Sequence, residues 1–359
     1  MRFQSMSRFR PIGKTESRCL LTVLSRKAYA PGVLSIGKPT CPICTSPPAG
    51  TRRRARRKED GVPANEMSTH HGIDAPPPGG YANETIRLLY ERGSCRVFRE
   101  QKIPPEVLET VLGAGLHAAT GGNLQPYSII QIEGDEPRRE LAALGEQAFI
   151  GDAPVSLLFC IDYRRLERWA RLSDAPFTAA RAFRHFWIGF QDTIICAQNI
   201  CTAADALGLG SVYIGTVLEY FPRLREMFRL PDGVCPVVLL CLGYPGVRIP
   251  VKRKLGIDAV VHREQYKEMT DQELVQAFDR KYPGLKVEAT PERTELVASV
   301  CRKVHDEAYA QRSLARIAAE GFINPAQRYF GLHYRADEMP ERNEEFVRLT
   351  EEFGFRWFR

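Results

Sequence analysis

Two kinds of apolar spacing divide the middle of the chain. Unbroken runs at Ala153-Pro-Val-Ser-Leu-Leu-Phe-Cys-Ile161 and from Cys235 to Tyr244 have the length of buried strands. Shorter segments, Ser128 to Glu133 and Ser211 to Ile214, predict two more strands. Elsewhere apolar residues recur at steps of three and four. That spacing predicts helices over Glu84 to Glu91, Pro104 to Leu116, Pro137 to Gln147 and Tyr220 to Phe228. A longer helical stretch runs from Pro176 to Leu207. Its stripe is Trp187, Phe190, Ile194, Ala197, Cys201 and Ala204, widened by Ile188 and Ile195. Pro104 and Pro105 suit a helix start, and Gly208 and Gly210 stop the long helix. Strands and helices mix without a regular βαβ repeat, so the expected fold class is α+β.

The two ends differ from this middle. Pro291 to Gly321 reads as a charged helical stretch and Asn343 to Phe353 as a further helix. The closing Phe355-Arg-Trp-Phe358 is too aromatic to float free and is expected to dock on the body or on a partner subunit. Residues 1–80 show no periodicity and end in the turn-prone Ala75-Pro-Pro-Pro-Gly-Gly80. They are expected to be a disordered basic head, read as leader upstream of a start at Met67. An organelle transit peptide and an anionic-surface contact are the alternatives. The expected organisation is therefore a head over 1–80, a ligand-binding body over 81–283 and a helical extension over 284–359.

Charge changes this picture by its location. The net charge is +7, but residues 1–58 hold fourteen Lys or Arg and one acid, Glu16. The remaining 301 residues therefore sum to −6. The body is mildly acidic, so the basic balance is no argument for nucleic-acid binding by it. No stretch approaches the roughly 20 apolar residues of a membrane helix. Cys160, Cys196, Cys201, Cys235 and Cys241 sit inside apolar runs, as small buried hydrophobes of a reduced, cytoplasmic protein do. Cys41-Pro-Ile-Cys44 lacks a second such pair, so no metal site is expected there.

Four segments have the composition of a ligand site. Arg92-Gly-Ser-Cys-Arg96 offers two cations, a hydroxyl and a glycine, which suit a phosphate monoester. Ala118-Ala-Thr-Gly-Gly-Asn-Leu-Gln-Pro-Tyr127 joins a helix to a strand and holds Thr120, Asn123 and Gln125, whose polar groups suit the edge of a heterocycle. An ordinary turn has the same composition. Gly208-Leu-Gly-Ser-Val-Tyr-Ile-Gly-Thr216 lacks the G-x-G-x-x-G spacing and follows a helix, which excludes a Rossmann fingerprint. It can still present backbone N–H groups to a flat ligand. Pro250-Val-Lys-Arg-Lys254 is a run of three cations that, alone, is an ordinary solvated patch.

In order and context these segments resemble the nitroreductase family, in particular its NADPH-type oxygen-insensitive branch with the P-type flavin reductases. Leu230-Pro-Asp-Gly-Val-Cys-Pro236, Leu240-Cys-Leu-Gly243 and Val261-His-Arg-Glu264 add to the resemblance, which covers about residues 84–283. It implies a three-layer α-β-α fold around a mainly antiparallel sheet, and an intertwined homodimer with FMN at the subunit interface. It implies that Arg92, Ser94 and Arg96 hold the phosphate and ribityl end. Thr120 and Asn123 then approach the flavin from the second subunit, and Gln125 of the same loop is a further cofactor-binding residue. Gln147 touches the flavin, Tyr213, Ile214, Gly215 and Thr216 line its ring through the backbone, and Lys252 and Lys254 lie near it. NADPH (or NADH) is the implied donor and a planar nitroarene, quinone or free flavin the acceptor, in a one-site ping-pong cycle. No side chain is required as catalytic acid or base, because the flavin carries the redox chemistry.

Three departures stand out. Lys252-Arg-Lys254 replaces the branch's Lys-Pro-Arg, so the last position keeps its charge but loses the guanidinium fork. Thr216 stands where the branch has glycine. Residues 285–345 exceed the branch's C-terminal excursion, which leaves the choice between NADPH and NADH open. The competing readings are a same-fold flavoenzyme of another reaction and a non-catalytic flavin- or RNA-binding protein.

Overall fold

The four expected strands assemble into one antiparallel sheet of order β1-β2-β4-β3: β1 Tyr127–Ile132, β2 Val155–Asp162, β3 Gly210–Ile214 and β4 Val234–Gly243. Every residue of the central strands β2 and β4 is buried. That is why both read as unbroken apolar runs instead of alternating ones. The register pairs Leu157 with Leu240 and Ile214 with Leu239. The computed structural model describes residues 76–77, 79–247 and 251–357, all within the unit Lys58–Arg359. The basic head, Met67, the Cys41–Cys44 pair, most of the linker, Pro250 and Phe358 lie outside the described residues.

The chain enters through α1 (Glu84–Glu91), capped by Asn83, whose side chain accepts from the Ile86 N–H. Next comes α2 (Pro105–Leu116), then α3 (Asp135–Leu144) and the short α4 (Phe149–Asp152) between β1 and β2. Helix α3 ends before Gln147 because Gly145 stops it and Glu146 takes φ 50°. Gln147 therefore sits in a turn, not on the helix the spacing predicted. Helix α5 (Tyr163–Leu172) starts directly after β2, capped by Asp162, and had no counterpart among the expected elements.

The long helix α6 (Phe183–Ala206) begins seven residues after Pro176, because Ala182 is extended and breaks the stretch. It contacts all four strands, and α2 packs on it. A Cβ on Gly115 would stand 2.4 Å from the Ile200 side chain, so α2 and α6 approach this closely only with glycine there. Ser211 faces α6, since its Oγ lies 2.9 Å from Cys201 Sγ. Alternation along β3 sends Ile214 to the other face. There it meets Leu141 of α3, Ile150 of α4 and Leu224 of α7 (Phe221–Phe228). Helices thus cover both faces of an antiparallel sheet, as an α+β, three-layer arrangement requires.

After β4 come α8 (Ile257–Val260) and α9 (Asp271–Lys281), the latter opened by a Thr270–Glu273 capping box. The single charged stretch expected over 291–321 is two helices, α10 (Pro291–Val304) and α11 (Glu307–Glu320). The backbone breaks at His305 and Asp306 caps the second helix. Val287, Val297, Ile317 and Ile323 form their own small core. A turn, α12 (Pro325–Gln327), leads into the π-helical turn Arg328–His333, and α13 (Asn343–Glu352) follows. The aromatic tail docks on the body. Phe355 is fully buried, and Trp357 packs 4.6 Å from the Phe186 ring of α6. Among the described residues, no helix is long and apolar enough to cross a membrane.

Candidate functional site

The segment from Arg92 to Phe98 lies along the outer edge of β3. Ser94 bridges Ser211, and the Cys95 N–H donates to the Ser211 carbonyl at 2.8 Å. A Cβ on Gly210 would stand 2.7 Å from Cys95 Cβ, so this glycine permits the contact. The segment places its two arginines in different surroundings. Arg92 turns toward α6. Its Nε lies 3.0 Å from Cys201 Sγ and 3.5 Å from the Asp205 carboxylate, and its Nη2 donates to Ser211 Oγ at 3.2 Å. Its charge is thus compensated within the chain. Burial pushes the Cys201 thiol up, which keeps it a neutral packing group. Among the described residues, the Tyr213 hydroxyl beside it is buried without a hydrogen-bond partner.

Arg96 turns the other way. Its Cζ lies 5.9 Å from the centroid of the Phe149 ring. Two residues before Phe149 stands Gln147, whose Nε2 is 3.5 Å from Thr216 Oγ1. Gly215, next to Thr216, is exposed, and the space where a Cβ would stand is open for 4 Å. The ring of candidate residues from Arg96 through Gln147 to Gly215 and Thr216 therefore forms one continuous surface. The Ile214 side chain is buried, so only its backbone belongs to this surface.

The basic triplet joins at the Arg96 end. Arg253 turns away and donates to the Arg280 carbonyl of α9 at 3.4 Å. Lys252 and Lys254, at alternate positions, are exposed. The ammonium of Lys252 is held below the usual lysine range, first by the protein packed around it and then by Arg96, Arg328 and Lys254. Among the described residues no carboxylate pairs with Arg96 or Lys252. A phosphate is the group such a cluster accepts most readily.

The loop after α2 stands apart. The Gly121 N–H donates to both oxygens of the buried Asp192, at 3.2 and 3.0 Å, which anchors the loop to α6. Burial raises the Asp192 carboxyl above its usual range, and the Gly121 N–H partly opposes this. Gly122, Asn123 and Gln125 all have positive φ, and Asn123 is exposed. Thr120 Oγ1 accepts from the Gln125 N–H at 3.3 Å, and the Gln125 side chain donates to the Leu116 carbonyl at 3.1 Å. Among the described residues, no hydrogen bond joins this loop to Arg92, Ser94, Arg96, Gln147 or Thr216. Within one chain the thirteen expected residues thus fall into three sets: the β3-edge surface with the lysines, the inward Arg92 group, and the isolated loop. Asp205, Cys201, Ser211 and Arg328 were not among the expected residues. Asp205 lies one α6 turn after Cys201, so it was within reach of helical spacing, whereas Arg328 carries no motif.

Comparison with known proteins identifies the family. The family model described as "Nitroreductase family" matches residues 89–244. An NADPH-flavin oxidoreductase of Vibrio harveyi is 35% identical over 199 residues, 55% of this chain and 80% of that protein. An oxygen-insensitive NADPH nitroreductase of Salmonella typhimurium is 32% identical over 55% of this chain and 80% of its own length. The solved structure of an NADPH:FMN oxidoreductase from Vibrio harveyi, complexed with NAD+, superposes with TM-score 0.53 at 30% identity, covering 67% of this chain and 98% of that one. The chain belongs to the nitroreductase family.

Proposed function

We propose that this chain is an FMN-dependent NAD(P)H oxidoreductase that reduces nitroaromatics, quinones or flavins. The observation that carries the reading is the continuous surface from Lys252 and Lys254 through Arg96 and Phe149 to Gln147, Gly215 and Thr216. It joins a group of cations at one end to open backbone at the other, which is the donor set a phosphorylated planar cofactor needs. FMN held there would supply the hydride and electron chemistry between the nicotinamide donor and the acceptor. Arg96, Lys252 and Lys254 hold the phosphate. Gln147, Thr216 and the backbone of Tyr213, Ile214 and Gly215 position the ring. Arg92 and Ser94 shape the β3 edge beneath it, Arg92 through its pair with Asp205. This puts the two lysines at the phosphate end instead of beside the ring.

The site is completed by a second copy of the chain. Phe183, Trp187 and Ile195 on α6 are 50%, 57% and 43% exposed, and Leu116 and Leu124 beside the isolated loop are 52% and 48% exposed. An apolar face of this size on a buried helix suits a subunit interface. It would bring Thr120, Asn123 and Gln125 to the partner's flavin. All seven described cysteines are free, six of them buried, which supports a reduced, cytoplasmic protein.

Purified full-length protein should show the visible bands of oxidised flavin. Stopped-flow mixing with NADPH and with NADH should bleach them and identify the preferred donor. A colourless protein that FMN does not reconstitute would remove this reading.

A further inference from the structure

The loop between α2 and β1 is fixed at its two feet and open at its crest. At its start, both oxygens of Asp192 on α6 accept from the Gly121 N–H. Asp192 is 5% exposed, and among the described residues no cation pairs with it. A buried carboxylate without a countercharge is costly unless hydrogen bonds hold it, and among the described residues Gly121 alone supplies them. A Cβ on Gly121 would stand 3.3 Å from Ile188 Cγ2, so the loop comes this close to α6 at a glycine. At its end, Arg165 of α5 donates through Nη2 to the carbonyls of Gln125 and Tyr127, each at 2.7 Å. Its Nη1 donates to Ser128 Oγ at 3.2 Å and lies 3.5 Å from the Asp162 carboxylate. Between the feet, Asn123 and Gln125 take φ of 55° and 48°. Non-glycine residues hold that left-handed region where their surroundings impose it. Gly121 to Leu124 are exposed, and among the described residues no hydrogen bond engages the Asn123 side chain.

We propose that Asp192 and Arg165 are positioning residues, which clamp this loop from α6 and α5 and so present Asn123 to the flavin held by a second copy of the chain. The inference deepens the flavin reading and rests on it for the ligand and for the second copy. Neither residue has to reach the ligand. Each removes loop conformations that binding would otherwise have to freeze, which is how a pre-organised arm raises affinity. The division of labour fits that role. The polar groups at the feet are used within the chain, whereas the amide of Asn123 is left at the crest to meet a ligand. Arg165 also gives α5 a part in the site, since this helix carries none of the candidate residues yet holds the loop that does.

The test compares wild type with R165Q, R165K, D192A, D192N, N123A and the double variant R165Q/N123A in the full chain. Flavin-free protein is titrated with FMN and followed by flavin fluorescence, at a concentration where sedimentation gives each variant the wild-type oligomer. R165Q and D192A should weaken FMN by about 10-fold, the size of one lost hydrogen bond, and R165K and D192N should recover part of the loss. Residues that act through the crest are coupled to it, so R165Q should add less than about 2-fold on the N123A background. A full loss on that background, wild-type affinity in both R165Q and D192A, or wild-type affinity in N123A overturns the proposal. If D192A does not fold, D192N and R165Q carry the same comparison. A second arm measures amide hydrogen exchange of the flavin-free protein. Peptides spanning residues 118–127 should exchange about 10-fold faster in R165Q and D192N than in wild type, with peptides of β4 unchanged. If they do so while wild type binds no FMN, the clamp stands and the flavin reading falls. Equal exchange in wild type and both variants overturns the clamp.

Discussion

At the scale of single residues, the site is decided by where like-charged groups find partners. Arg92 and Arg96 lie four residues apart, and composition alone treats them as a matched pair. The structure gives Arg92 a carboxylate, Asp205, and leaves Arg96 with Lys252 and the Phe149 ring. A paired arginine has less charge to offer a ligand than an unpaired one. Replacing Lys252 and Lys254 together by Ala should therefore weaken FMN binding by roughly 100-fold, at about 1.5 kcal/mol for each charged hydrogen bond. The weakening should shrink as salt rises, because exposed charges are screened. Unchanged affinity at low salt would remove the lysines from the site. Lys252 and Lys254 stand out as candidates in the sequence only through the family resemblance, because three cations after the last core strand are alone an ordinary patch. Their company with Arg96 was not legible there, since 156 residues separate Arg96 from Lys252.

Elements carry a second layer of specification. The apolar stripe read along α6 splits in the structure. Its C-terminal part, with Ala197, Cys201 and Ala204, is fully buried against the sheet and α2. Its N-terminal part keeps Trp187 and Phe190 exposed. Periodicity identifies an apolar face but does not say what covers it. Trp187→Glu should convert a dimer to a monomer in sedimentation, with loss of bound flavin. An unchanged dimer would place the interface elsewhere. The aromatic tail behaves more simply, because Phe355 has no exposure and packs between Tyr163 and Phe186. Phe355→Ala should cost about 3–5 kcal/mol. The melting temperature should fall by roughly 10 °C, and a shift within error would show the tail is not part of the core. Helix α5 escaped the sequence because only Tyr163, Leu166 and Ala170 are buried among many charges. Helix α9 likewise had no counterpart among the expected elements, although its capping box, Thr270 with Glu273, is a local signal.

Over the whole molecule, the C-terminal residues are divided between two cores. Val287, Val297, Ile317 and Ile323 pack with one another, while Leu349, Phe353 and Phe355 join the main core around the sheet. The π-helical turn carrying Arg328 lies between these two segments in sequence. The extension is thereby tied into the main core through its last segment, while its first segment forms a core of its own. The sequence by itself determined the α+β class, all four strands within two residues at each end, most helices and the family's motif order. These depend on local spacing and on apolar runs, which act over one or two turns. Only the tertiary structure decided that Arg92 pairs with Asp205 while Arg96 turns to the Phe149 ring, and which half of α6 is left uncovered. Those outcomes depend on contacts between residues far apart in the chain. No local spacing encodes them, because charge compensation is a property of the folded neighbourhood and not of the segment.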